Sequence, residues 1–225
     1  MVETVARRPD GRRERWTEHR AERRAEFVAA GAAAVDKYGP EASAEQIAEL
    51  AAISRTVLYR YFRDRDDLRQ AVGEFIVRQV VDAVGDNLQL TATSTPRQLV
   101  EGAISAIVVW FDQHPNRYQF VRTLQNGSAL EVAEHSLADQ VAGLLRLVMA
   151  TFGVSGGSAE PGAYGIVGLV ESTAAWWLAR RQLSREALID LLCGSVWAII
   201  DSFARSMDLH IEYDSPLPVG DLLQS

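Results

Sequence analysis

The stretch from Ser43 to Leu68, SAEQIAELAAISRTVLYRYFRDRDDL, constrains this chain more than any other. Ser43 offers a helix N-cap with Gln46 three residues on, the pattern of a capping box. The segment Ala44 to Ala51 then puts Ile47, Ala48 and Ala51 on one helical face. Ser54 offers a second N-cap only three residues later, and a short helix is expected over Arg55 to Phe62. Helices this short are stable only against neighbours, so Ile47, Ala48, Ala51, Ile53, Leu58 and Phe62 form the expected contact. The opposite face of the second helix, with Arg55, Thr56, Tyr59 and Arg60, is left free. Two capped helices around the turn Ala52-Ile53-Ser54 make a helix-turn-helix pattern. Arginine can pair bidentately with guanine or bind phosphate, and threonine and tyrosine can do either more weakly. The helix N-termini at Ser43 and Ser54 would turn backbone N–H groups toward a phosphate.

The rest of the chain has helical periodicity throughout. Phe27, Gly31, Ala34, Val35 and Tyr38 share one face of a helix expected over 20–38, which Gly39-Pro40 stops. Asp64 caps a longer helix reaching Asn87, with Leu68, Val72, Phe75, Ile76 and Val80 on one side. Pro96 suits the first position of a helix carrying Leu99, Ala103, Ile107, Trp110 and Phe111, broken at His114-Pro115-Asn116. A short helix over 117–125, ended by Asn126-Gly127, and an amphipathic one over about 130–152 follow. Gly153 to Gly162, with four glycines and Pro161, reads as a loop without the ending of a phosphate loop. Helices over 163–181 and 184–206 close the series. With no period-2 stretch long enough for a sheet, the expectation is an all-α chain of about nine helices. Its parts are a basic extension at 1–19, either mobile or a frayed helix start, a helix-turn-helix domain at 20–69, a larger helical domain at 70–206 and a loose tail at 207–225.

Charge and composition exclude several classes. The net charge of −7 argues against indiscriminate nucleic-acid binding, but residues 1–69 carry a net +1 and residues 70–225 a net −8. Positive charge is thus concentrated at the N-terminal end. The single cysteine, Cys193, fits a reducing, cytoplasmic setting, and neither a secretory signal nor a membrane span is expected. The four histidines, His19, His114, His135 and His210, form no HExxH spacing, and no G-x-S-x-G elbow exists. Neither an enzyme nor a cofactor or metal is expected. A protein-only adaptor is opposed by the cluster Arg55, Arg60, Arg63 and Arg65.

These residues together resemble the DNA-binding domain of the tetracycline-repressor (TetR) family. Ser43 stands for that family's leading threonine, Ile47-Ala48 and Ala51 fit, Ile53-Ser54 matches its Val-Ser pair, and Leu58-Tyr59 with Tyr61-Phe62 match its recognition helix. Asp64-Arg65 replaces the usual Ser-Lys, and Leu68 closes the pattern. The resemblance covers about fifty residues from Arg20. It implies base and phosphate contacts from Arg55, Thr56, Tyr59 and Arg60, and phosphate contacts from Ser43, Ser54, Tyr61 and Arg65. In one departure, Ala52 replaces the turn glycine. An alanine at positive φ costs about 1–2 kcal/mol, so the turn either avoids that conformation or tolerates the strain.

The resemblance also implies a twofold homodimer through the helices 163–181 and 184–206, reading a pseudo-palindromic double-stranded operator. The helix 184–206 is apolar nearly all round, and 163–181 carries the small residues Gly165, Gly168, Ser172 and Ala175. Candidates for a ligand site in the larger domain are Phe75, Trp110, Phe111, Phe120, Leu124, Leu144, Met149, Val170 and Trp177, with Asn116 and Glu171 to orient polar groups. Most of them would serve equally as ordinary core. Glu171 interrupts an apolar run and needs a partner, either a ligand or an arginine such as Arg122 or Arg180. The effector expected first is an acyl chain or acyl-CoA, and second a hydrophobic drug-like molecule. The expected role is a repressor released by its effector, with activation as the alternative.

Overall fold

The computed structural model describes residues 11–124, 128–154 and 159–219, and everything described is helix, turn or loop. Nine α-helices follow one another among the described residues: α1 (Gly11–Tyr38), α2 (Ala44–Leu50), α3 (Arg55–Leu58), α4 (Arg65–Gly85), α5 (Pro96–Gln113), α6 (Pro115–Arg122), α7 (Ser128–Thr151), α8 (Ala159–Arg180) and α9 (Arg185–Arg205). The chain divides into two compact units, residues 1–75 and 76–225.

In the first unit, α1, α2, α3 and the start of α4 enclose Phe27, Val35, Ile47, Leu58, Phe62, Leu68 and Val72, each at most 4% exposed. Gly31 permits the approach of α1 to α4, because a Cβ there would lie 2.4 Å from Val72 Cγ2. The Ser43 capping box with Gln46 forms as expected, and Ser54 Oγ accepts from the Val57 N–H. Asp64 caps α4 by accepting from the Asp67 N–H at 2.8 Å. Ala52 adopts a φ of 53°, so the turn keeps its left-handed residue without glycine.

Several boundaries differ from those expected. α1 reaches back to Gly11, nine residues before Arg20, because the Arg/Glu-rich run there favours helix despite its lack of apolar periodicity. α3 ends at Leu58 instead of Phe62. Arg60 and Tyr61 donate to carbonyls three residues back, so the chain leaves the α-helix in a tightening turn. α8 begins at Ala159, which puts Pro161 in the first helical turn, where its missing N–H costs nothing. The expected stop at Asn126-Gly127 lies outside the described residues.

In the second unit, α5 packs on α9 and α7 on α8. Thr95 and Gln98 form a further capping box ahead of Pro96. The segment 207–219 is not a loose tail. Leu217 and Val219 are buried beside Leu99 and Val148, and the Leu217 N–H donates to the Ser94 carbonyl at 2.9 Å. The Arg97 N–H donates to the Tyr213 carbonyl, the Arg97 guanidinium binds the Asp214 carboxylate, and Tyr213 stacks on Trp197 at 4.4 Å. Pro216 and Pro218 suggested irregularity correctly, but irregular chain can still be fixed by long-range contacts.

α9 is long and apolar enough by composition to cross a membrane, unlike the expectation of no such stretch. Leu188, Leu192, Cys193 and Val196 occupy its buried side, while Leu191 on another side is 50% exposed. Burial pushes the Cys193 thiol up to about 11.

Candidate nucleic-acid interface and effector cavities

The first unit presents its polar residues around α3. Ser54, Arg55, Thr56, Arg60 and Arg65 are exposed, and Ser43, Tyr59 and Tyr61 are half-buried. The Arg55 guanidinium meets the Glu45 carboxylate at 2.6 Å and lies 5.4 Å from the Tyr59 ring centroid. Glu45 stays below the usual carboxylate range, first through its own backbone N–H and the Ser43 hydroxyl and then through Arg55. Arg65 approaches Glu41 at 3.7 Å. These surface pairs are weak and can exchange a carboxylate for a phosphate. Tyr61 has a packing role as well, since its ring meets Phe27 edge-on at 5.0 Å. Periodicity alone did not single out Arg20. It donates to the Arg60 carbonyl at 3.0 Å and lies 5.7 Å from the Tyr61 ring, tying α1 to the end of the recognition segment.

The second unit contains two apolar cavities. Cavity 1, about 840 Å³ including its open part, lies among α4, α5, α6, α7 and α8. Ile76, Val80, Ile107, Trp110, Phe111 and Val170 form much of its wall, with Tyr118, Glu134 and Glu171 at its border. Glu171 pairs directly with Tyr118, and the expected Arg122 reaches it only through that phenol. The Tyr118 hydroxyl donates to its Oε1 at 2.7 Å, and Arg122 donates to that hydroxyl at 3.4 Å. Burial, then the Glu171 carboxylate, pushes the Tyr118 phenol up to about 12. Burial and Glu171 also raise the Glu134 carboxyl above its usual range.

Cavity 2, about 880 Å³ on the same measure, is enclosed by α5, α7, α8, α9 and the C-terminal segment, with Leu144, Met149, Trp197, Phe203, Ile211 and Leu217 in its wall. Of the expected ligand residues, Trp110, Phe111, Val170 and Glu171 line cavity 1, and Leu144 and Met149 line cavity 2. Phe75, Asn116, Phe120, Leu124 and Trp177 line neither. Trp177 is a core post. Its Nε1 donates to the Leu183 carbonyl at 2.8 Å while Arg181 covers its ring at 4.1 Å. Phe120 is 2% exposed and Leu124 8%, so both belong to the interior. Periodicity could have found Glu134, which sits within the apolar stripe Ala133, Leu137, Val141, Leu144 and Val148 of α7. Nothing local marked Tyr118 as the partner of Glu171, 53 residues away. Among the described residues no cluster of metal-ligating side chains occurs.

Residues 27–72 match the family model described as bacterial regulatory proteins, tetR family. An uncharacterized HTH-type transcriptional regulator of Mycobacterium tuberculosis is 31% identical over 226 residues, covering 97% of this chain and 95% of that one. A crystal structure of a tetR-family transcriptional regulator from Streptomyces coelicolor superposes with a TM-score of 0.64 at 20% identity, over 81% of this chain and 84% of that one. The transcriptional regulator FadR from Bacillus subtilis, solved in complex with stearoyl-CoA, gives a TM-score of 0.61 at 14% identity, over 78% and 96%. Full-length similarity to a helix-turn-helix regulator, a matching all-helical fold and the capped helices around Ala52 lead to one conclusion: this chain belongs to the TetR family of DNA-binding transcriptional regulators and is not an enzyme.

Proposed function

We propose that the chain is a homodimeric repressor that leaves its operator when a small hydrophobic molecule fills the second unit. The observation that carries this reading is the pair of apolar cavities, whose walls come from helices on both sides of the second unit's core. The DNA contacts are assigned to Arg55, Thr56, Tyr59 and Arg60 for bases and phosphates, and to Ser43, Ser54, Tyr61 and Arg65 for phosphates. Exposure of the arginines and Thr56 supports this assignment. The pseudo-palindromic operator follows from twofold symmetry.

The dimer surface is assigned to α8 and α9. Tyr164 and Trp176 on α8 and Leu191 on α9 are 37%, 41% and 50% exposed, beside the exposed Gly165, Gly168 and Gly194, which leave room for a partner helix. The working compartment is the cytoplasm. α4 supplies Leu68 and Val72 to the first core and Ile76, Val77, Val80 and Val84 to the wall of cavity 1. A ligand with higher affinity for one arrangement of α4 would shift the DNA-binding equilibrium through this covalent connection. Hydrocarbon is the chemistry these walls favour, whether an acyl tail, as in the stearoyl-CoA complex of FadR, or the body of a drug-like molecule.

Selection of genomic fragments by the purified protein, scored by gel shift, tests the reading. The expected outcome is a pseudo-palindrome bound by the native chain, lost with Arg60→Ala and released by a hydrophobic extract of the host. No enrichment at low salt overturns the DNA assignment.

A further inference from the structure

Ala103, Ile104, Val141 and Ile166 line both cavities, so the two share walls and together suit an elongated molecule. Their ionisable residues are one-sided. Among the described residues none lines cavity 2, and the three that border cavity 1, Tyr118, Glu134 and Glu171, are all acids. Among the described residues no lysine, arginine or histidine lines either space. Arg122 reaches the Tyr118 hydroxyl from outside the wall and lies 5.7 Å from that ring. An anionic head group brought here would lose water without gaining a counter-charge and would meet two carboxylates. A cationic head group would gain both. The direction of the Glu134 shift agrees, since burial and the charge of Glu171 already oppose a second negative charge, a condition that a bound cation relieves.

Resting on the effector reading above, we infer that the effector is a lipophilic cation, an elongated amine or quaternary ammonium compound. Its apolar body fills the cavities and its charge sits beside Glu134 and Glu171. An acyl carboxylate or acyl-CoA has the wrong head group for this border.

Three probes with one tail test this, each below its micelle concentration: decyltrimethylammonium, 1-decanol and decanoate. They are titrated into the full chain at neutral pH and followed by tryptophan fluorescence, since Trp110 lines cavity 1 and Trp197 cavity 2. The expected result is about tenfold tighter binding of the ammonium than of the alcohol, with decanoate weakest. The pair Glu134→Gln and Glu171→Gln brings the ammonium to the level of the alcohol and leaves the alcohol unchanged. Glu134→Gln alone keeps the Tyr118–Glu171 hydrogen bond, guards against misfolding of the double variant, and removes part of the preference. Decanoate binding as well as the ammonium, or a preference that survives both substitutions, overturns the inference while the effector site stands. Failure of all three probes to bind overturns the effector reading itself, and this inference with it.

Discussion

The two units solve the same problem, holding polar side chains in place, over very different distances along the chain. In the first unit most of the bonds around α2 and α3 are local: Ser43 with Gln46 and Ser54 with Val57 span three residues and Arg55 with Glu45 spans ten, with the bond from Arg20 to the Arg60 carbonyl, across 40, as the long one. In the second they are remote: Tyr118 with Glu171 spans 53 residues, Arg181 with Asp112 spans 69, and Arg97 with Asp214 spans 117. A surface that reads DNA must keep its side chains outward on short elements, so neighbours in sequence do the positioning. A chamber for a small molecule must be walled from several directions, so residues distant in sequence have to meet.

If this contrast is right, substitutions in the first unit act through nearby geometry. The largest effect is expected at Gly31→Ala, where the new Cβ would overlap Val72 and cost about 1–3 kcal/mol of stability. Denaturant unfolding measures the loss, and Val72→Ala on the same chain should recover much of it. Additive losses in the double variant would break the close-approach argument. A smaller effect of opposite sign is expected at Ala52→Gly. Relief of the left-handed backbone at φ 53° should stabilise by about 1 kcal/mol, with DNA affinity unchanged. A destabilised Ala52→Gly protein would mean that the alanine side chain contributes more than the backbone strain removes.

The smallest effect lies at the remote contact. The Arg97 guanidinium beside Asp214 holds that carboxyl below its ordinary value near 3.8. A depressed folded-state pKa gives a tether that is present above the ordinary value and is lost as pH falls through the lowered one. The protection of the Leu217 N–H, its exchange taken relative to the intrinsic rate at each pH, should therefore fall on acidification below the ordinary carboxyl value of 3.8 and in high salt, and Asp214→Asn should show the lower protection already at neutral pH. Equal protection in the variant would leave the stacking of Tyr213 on Trp197 and the burial of Leu217 as the whole tether.

The expected helix order, the caps at Ser43, Ser54 and Asp64, and Pro96 at a helix start all appear in the structure, because each depends on residues within one helical turn. Helix ends read from composition were less secure. Pro161 reads as loop although proline is tolerated in a first turn, and the arginine-rich start leaves a mobile arm and a frayed helix start equally open although arginine and glutamate propagate a helix well. The ligand candidates divided by a property that periodicity does not carry. Trp110 and Trp177 are both large, apolar and in helices, yet one borders a cavity while the other fills the interior under Arg181.

The sequence alone determined the helix-turn-helix and the identity of its outward residues, since these follow from 3.6-residue periodicity and hydrogen bonds across three residues, whereas the left-handed conformation of Ala52 was decided by the structure. Only the tertiary structure decided that Glu171 meets Tyr118, that Glu134 shares its cavity, and that residues 207–219 close a second cavity through Arg97, Trp197 and Ser94. Those contacts join segments whose separation leaves no periodic trace, and their energy becomes available only after the helices have packed.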